Sequence, residues 1–311
     1  MKQTMNLQEW GLLFGLAVIW GGSYFFVDIA LTQLPVFTIV MLRVAGAAVL
    51  LLLLVCVLGQ RMPFSLRAWR GMFCIGLLNN AAPFCLIVWG QTYISGGLAS
   101  VLIAMTPVFS ILVLRGLGIE KRIGAGKLAG LVLGITGVAV IIGPDVLAGL
   151  KGDLTAQLAI LLAAFSYACA GVYGKRLQGQ GHSTLVITAG QVTASTVLLF
   201  PVVMWIDRPW TLAMPDASVL YAVAALALIC TALAYIMYFR ILSTAGPTNL
   251  LLVTFLAPVS AIALGAIFLG QSLATEHYLG ILLVGAGLLA IDGRVLKLFG
   301  GNNKAGQGVM K

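Results

Sequence analysis

Charge is what this sequence has least of. Charged residues make up 9% of its 311 positions, and only nine are Asp or Glu. Soluble domains carry about 25% charged residues, so lipid rather than water must be the solvent for most of the surface. The nine acids are Glu9, Asp28, Glu120, Asp145, Asp153, Asp207, Asp216, Glu276 and Asp292, all at the ends of apolar segments or between them. Histidine is rarer still: His182 and His277 both lie in connections. Catalysis needs converging acids, bases, nucleophiles or metal ligands. These scattered residues do not supply them, and no HExxH, P-loop or GxSxG motif is present. Catalytic residues, bound metal and cofactors are therefore not expected. The five cysteines (Cys56, Cys74, Cys85, Cys169 and Cys230) are odd in number, sit inside apolar segments and form no CxxC pair. That pattern reads as small packing residues rather than disulfides or a metal site.

The apolar residues that remain, 61% of the chain, fall into ten segments near 9–29, 35–58, 69–90, 96–115, 124–143, 155–174, 183–205, 217–239, 247–270 and 277–293. A spanning helix needs about 20 mostly apolar residues. Backbone in lipid must satisfy its own hydrogen bonds, and the runs lack the alternation of barrel strands, so each is expected to be a helix. The expected fold is an all-α integral membrane protein of ten transmembrane helices. The net charge of +9 marks topology rather than a nucleic-acid surface. Of the 18 Lys and Arg, Lys151 and Arg208 fall on one side of the ten spans, Arg43 lies within the second, and all the others fall on the opposite side. Basic residues accumulate in cytoplasmic connections, so both termini are expected in the cytoplasm of a multi-pass inner (plasma) membrane protein. Arg43, about eight residues into its span, either snorkels outward or takes a substrate or gating role.

The chain also repeats itself. Ala-Met-Thr-Pro-Val at 104–108 parallels Phe-Leu-Ala-Pro-Val at 255–259, matching Pro107 with Pro258. The run Gly130–Gly143 parallels Gly280–Gly293, with Gly130, Gly137, Ile141 and Gly143 on Gly280, Gly287, Ile291 and Gly293. The expected organisation is a first five-helix repeat over 1–150, a second over 151–300 and a cytoplasmic tail over 301–311. A unit with an odd number of crossings puts its second copy in inverted orientation, the arrangement of many secondary transporters, whose substrate sites lie near the midplane between repeats.

The run Ile19-Trp20-Gly21-Gly22-Ser23-Tyr24-Phe25 resembles the opening motif of EamA-type proteins, and the segment from Gly97 through Pro107 resembles their fourth-span signature. The Gly130–Gly143 run is similar to their fifth-span glycine ladder. The likeness covers residues 8–295 and points to the EamA family of the drug/metabolite transporter superfamily, nearest to YddG-like amino-acid exporters. It implies ten helices in two inverted repeats around a central substrate cavity. Where the second repeat's counterpart of Trp20-Gly21 falls, this chain has Tyr167-Ala168, which keeps an aromatic beside a small residue and loses the tryptophan.

Polar groups at membrane midplane are costly unless they face a cavity or a partner. Asn79 and Asn80 lie about ten residues into the third span, roughly 15 Å deep, and Pro83 follows within a turn, freeing carbonyls. The pair either lines a cavity or makes an interhelical hydrogen bond. A shift of 151 residues puts Asn80 on Thr231 and Phe84 on Tyr235, so each repeat offers a polar residue and then, one turn on, an aromatic. Trp20 is too deep for an interfacial belt and offers an apolar wall or a cation–π face. The expected substrate-binding set is Trp20, Ser23, Tyr24, Asn79, Asn80, Phe84, Tyr93, Tyr167, Gln191, Thr231, Tyr235 and Tyr238. Gly21, Gly22, Pro83, Pro107 and Pro258 are the expected hinge or gate positions, and the glycine runs of spans five and ten are expected to be packing surfaces.

These features point to a secondary transporter of small metabolites, with neutral or aromatic amino acids foremost, working by alternating access; the resemblance implies export. The competing readings are a membrane-embedded enzyme, a channel, or an exporter of other metabolites or drugs. The expected partners are a small-molecule substrate and the lipid bilayer, and no nucleic acid; the oligomeric state is not legible.

Overall fold

The computed structural model describes residues 5–119, 124–142, 151–179, 181–250, 252–273 and 275–292. The expected tail over 301–311 and the junction around residue 150 lie outside them or at their edge. Among the described residues ten helices follow one another: α1 Leu7–Ala30, α2 Val36–Val57, α3 Leu66–Gly90, α4 Gly96–Gly116, α5 Ala125–Ile142, α6 Lys151–Gln178, α7 Thr184–Asp207, α8 Ala217–Thr244, α9 Val253–Leu269 and α10 Thr275–Asp292. Seven are long and apolar enough to cross a bilayer, and shorter apolar stretches, Leu128–Val140, Val253–Leu269 and Tyr278–Ala290, lie in α5, α9 and α10. Large apolar side chains such as Val49, Leu53, Val132, Ile267 and Leu282 face outward, as lipid-facing residues do. The protein is a multi-pass, all-α membrane protein.

Helix starts follow local chemistry. Asn6 and Glu9 form a reciprocal capping box at α1, which satisfies two end donors at once. Ser65, Ser95 and Ser183 cap α3, α4 and α7, each hydroxyl accepting from the amide three residues on. Several helices are not regular. Leu77–Ala81 in α3 and Leu228–Leu233 in α8 are π-helical, and so is Val203–Asp207 at the end of α7. The first two lie 151 residues apart, in corresponding places of the two repeats. Helix α4 is interrupted after Ile103 and resumes at Thr106. The stretch expected to be one span over 247–270 is a single turn, Pro247–Leu250, followed by α9.

The packing has an internal twofold pattern. Helix α1 packs on α8 and α9 of the other repeat, and α6, its counterpart, packs on α3 and α4. Likewise α2 with α8 matches α7 with α3, while α2·α7 and α5·α10 are self-matched pairs. The repeats thus interlock. The α5·α10 pair is the glycine-run surface expected from sequence. A Cβ on Gly137 would stand 2.8 Å from the Val284 amide nitrogen, and one on Gly287 would stand 2.8 Å from the Gly130 carbonyl oxygen. Only glycine permits so close an approach.

Candidate substrate site

The two matched π-helical segments carry the centre of the molecule. A π-turn shifts the hydrogen-bond ladder by one residue and leaves a carbonyl without its helical partner. In α3 the Leu78 carbonyl accepts from the Ser166 hydroxyl of α6 at 2.7 Å. In α8 the Leu226 carbonyl accepts from Thr231 Oγ1 at 2.8 Å. Proline does not explain both. Pro83 follows the α3 segment, but Ala234 holds the corresponding place after the α8 segment.

The displaced turns bring Asn79, Asn80, Gln191 and Tyr235 together. The Tyr235 hydroxyl accepts from Asn79 Nδ2 at 3.1 Å and donates to Asn80 Oδ1 at 2.8 Å. Asn79 Nδ2 also lies 3.5 Å from Gln191 Oε1. Asn80 is completely buried, and among the described residues its amide Nδ2 has no hydrogen-bond partner. Beside this network, Arg43 of α2 places its guanidinium 3.9 Å from the centre of the Phe84 ring. Its Nε donates to Thr231 Oγ1 at 2.8 Å.

Aromatic contacts extend the site toward one end of the bundle. Tyr235 stacks on Phe239 at 6.2 Å, Phe239 meets Tyr238 edge-on at 5.1 Å, and Tyr238 meets Trp20 at 5.8 Å. Ser23 and Tyr24 are buried on α1 above Trp20, and Tyr167 packs between two core clusters. Most expected site residues are therefore joined directly or through Arg43 and Phe239. Tyr93 is not among them. It is 51% exposed in the turn after α3, packed on Trp89, because α3 ends before reaching it.

The expected hinge positions differ in character. Gly21 lies in an unbroken helix where a Cβ would come within 2.0 Å of Ser260 Oγ and 2.6 Å of the Ala257 carbonyl oxygen. It is a place of close approach between α1 and α9 rather than a bend. Gly22 has more room, with Leu264 Cδ1 at 3.6 Å from such a Cβ. Pro107 opens the resumed half of α4, and the Ile103 carbonyl it leaves free accepts from the Thr106 hydroxyl at 2.7 Å. Its match Pro258 sits inside the continuous α9.

Two groups stand outside the expected binding set. Arg43 does not snorkel outward; it turns into the bundle and is 6% exposed. Its lying deeper in a predicted span than any other basic residue was the available signal. At the end of α1, Asp28 accepts from Gln91 Nε2 at 2.6 Å and from Gln271 Nε2 at 2.7 Å. These residues line a cavity of about 380 Å³ with Leu31, Thr32 and Thr92. No sequence motif marks that clasp, since its three members are far apart in the chain.

The EamA-like transporter family matches the chain twice, over residues 9–143 and 154–291. The chain belongs to this family. An inner membrane transporter of Escherichia coli K12, YedA, itself described as uncharacterized, is 28% identical over 300 residues, covering 95% of this chain and 94% of YedA. A probable amino-acid metabolite efflux pump of the same strain is 26% identical over 292 residues, covering 91% of this chain and 94% of the pump. A solved crystal structure superposes with a TM-score of 0.66 at 17% identity, covering 93% of this chain and 98% of that one, a likeness of fold. This EamA-family protein is a membrane transporter, in keeping with two interlocked repeats around a polar and aromatic centre.

Proposed function

We propose that this EamA-family protein exports small metabolites, foremost neutral or aromatic amino acids, across the inner membrane by alternating access. The two repeats divide near residue 150, and both termini are cytoplasmic. The observation that carries the reading is the central network, in which Asn79 and Asn80 of one repeat meet Tyr235 and Gln191 of the other. Buried polar side chains in a bilayer cluster on substrate paths. Here Asn79 and Asn80 sit on one π-turn and Tyr235 follows directly on the matching one, and π-turns are frequent at functional sites. Amide and hydroxyl groups supply donors and acceptors for a polar head, and Trp20, Tyr238 and Phe239 supply a wall for an apolar body. The resemblance to an amino-acid metabolite efflux pump agrees with this choice of substrate.

The test is counterflow in proteoliposomes of the purified protein, with labelled phenylalanine, leucine and threonine. Saturable flux, lowered by Trp20→Ala, Asn79→Ala, Asn80→Ala and Tyr235→Ala in correctly inserted protein, is the expected result. Chemical conversion of the label would point to an enzyme, and unsaturable ion current to a channel. Saturable flux of other solutes only would replace amino acids as the substrate class.

A further inference from the structure

The centre of the bundle holds a cation without a counter-ion. Arg43 is 94% buried, in that its exposure is 6%. Its Nε is engaged by Thr231 and its flat face by Phe84. Among the described residues, neither terminal nitrogen has an acceptor, and no Asp or Glu lies in ion-pair range. A guanidinium is a permanent cation, and a buried charge normally keeps a partner. The hydroxyl and the ring offset only part of that cost.

A second donor is left open in the same ring of contacts. The Tyr235 hydroxyl accepts from Asn79, so its own proton goes to Asn80 Oδ1, and Asn80 Nδ2 is left without an acceptor. Asn80 and Phe84 are one turn apart on α3, and Thr231 and Tyr235 are one turn apart on α8. Arg43 touches one member of each pair, Phe84 and Thr231, while Tyr235 joins Asn80. The four residues and Arg43 close a loop whose unengaged groups are all hydrogen-bond donors. Nothing in the loop accepts from them.

We propose that Arg43 and Asn80 form a subsite for the carboxylate of a ligand that carries one such group, with Phe84 beside it. This rests on the central network being the substrate path, and adds that the substrate presents a carboxylate to it. Planar, bidentate recognition of a carboxylate is what an Arg fork does best. One Arg balances one negative charge, so a monocarboxylate fits better than a doubly charged phosphate. The aromatic surroundings suit a short apolar body.

The experiment is a thermal-unfolding titration of the purified, detergent-solubilised protein at fixed ionic strength. The probes are 3-phenylpropionate and its neutral isostere 3-phenylpropionamide, both at millimolar concentration. The acid is expected to raise the midpoint saturably and the amide to leave it unmoved. Arg43→Gln should weaken acid binding by roughly tenfold or more, the loss of one charge-assisted bidentate contact, and Arg43→Lys should keep part of it. Should Arg43→Gln fail to fold, Asn80→Asp carries the test. It is isosteric, sets a negative charge one turn from the ring that Arg43 lies against, and is expected to abolish binding of the acid in folded protein. Equal response to acid and amide, no response to either, or full binding of the acid by Arg43→Gln or Asn80→Asp overturns the subsite. The outcome for transport is separate. Saturable amino-acid flux that Arg43→Gln leaves unchanged sinks the subsite and spares the transporter reading. Arg43-dependent binding of the acid without any amino-acid flux does the reverse.

Discussion

Tyr235 is the residue through which the two repeats speak to each other. Its hydroxyl holds Asn79 and Asn80 at once, and its ring stacks on Phe239. Tyr235→Phe keeps the ring and removes only the oxygen. Both asparagines then lose a partner, and a buried polar group left unbonded costs about 1–3 kcal/mol. The variant is expected to melt lower than wild type and to lose substrate flux, whereas Tyr238→Phe, whose hydroxyl makes no hydrogen bond among the described residues, should do neither to the same extent. Indistinguishable melting and flux for the two variants would show that the network holds neither fold nor substrate. Depth alone drew attention to Asn79 and Asn80, and the 151-residue shift to Thr231. The sequence could not pair Asn80 with Tyr235, since a contact across 155 residues depends on how the repeats interlock. Arg43 shows the same limit: its depth is written in the chain, its direction is set by α3 and α8.

Helix irregularities and glycine faces are where element-level expectation and observation part company. Proline was the expected cause of a distorted α3, yet α8 makes the same π-turn with Ala234 in place of proline. In each, a hydroxyl bonds a carbonyl at the irregular turn, Ser166 of α6 on Leu78 and Thr231 of α8 itself on Leu226. Pro83→Ala is therefore expected to keep the α3 π-turn and the Asn80–Tyr235 bond in a determined structure, with near-normal flux; a straightened α3 would restore proline as the cause. The glycine runs read correctly as packing surfaces because spacing and residue size are both sequence properties. Single positions in them are not equal, however. A Cβ on Gly287 meets backbone of α5 at 2.8 Å, while one on Gly285 meets nothing within 4 Å. Overpacking costs about 1–3 kcal/mol, and backbone cannot rotate out of the way. Gly287→Ala should lower the melting midpoint and Gly285→Ala should not; equal midpoints would mean that α5 and α10 separate without cost.

At the scale of the whole molecule, the interlocked repeats are held at one end by three polar ties. Asp28 of α1 accepts from Gln271 after α9. Thr38 at the start of α2 donates to Asp207 at the end of α7, its amide at 2.7 Å and its hydroxyl at 2.8 Å. Gln33 and Asp216 bond reciprocally, with the Asp216 amide 2.8 Å from Gln33 Oε1 and the Gln33 amide on the Asp216 carboxylate. The proposed orientation, with both termini cytoplasmic, puts this end outside. In a cysteine-free background, Thr92→Cys should then react with an impermeant thiol reagent in intact cells and Ser243→Cys should not, and the opposite pattern would invert the proposed orientation. Alternating access requires the ties at this end to part once per cycle. Gln33 and Asp216 are both exposed, so their cysteine variants are open to a short bifunctional thiol reagent from water. The double variant Gln33→Cys/Asp216→Cys is expected to carry substrate in proteoliposomes before treatment, to stop when cross-linked, and to recover on reduction. Each single variant, treated alike, should keep its flux. Undiminished flux through the cross-linked protein would mean that this end of the bundle does not open during transport, and that substrate passes without the repeats moving apart here.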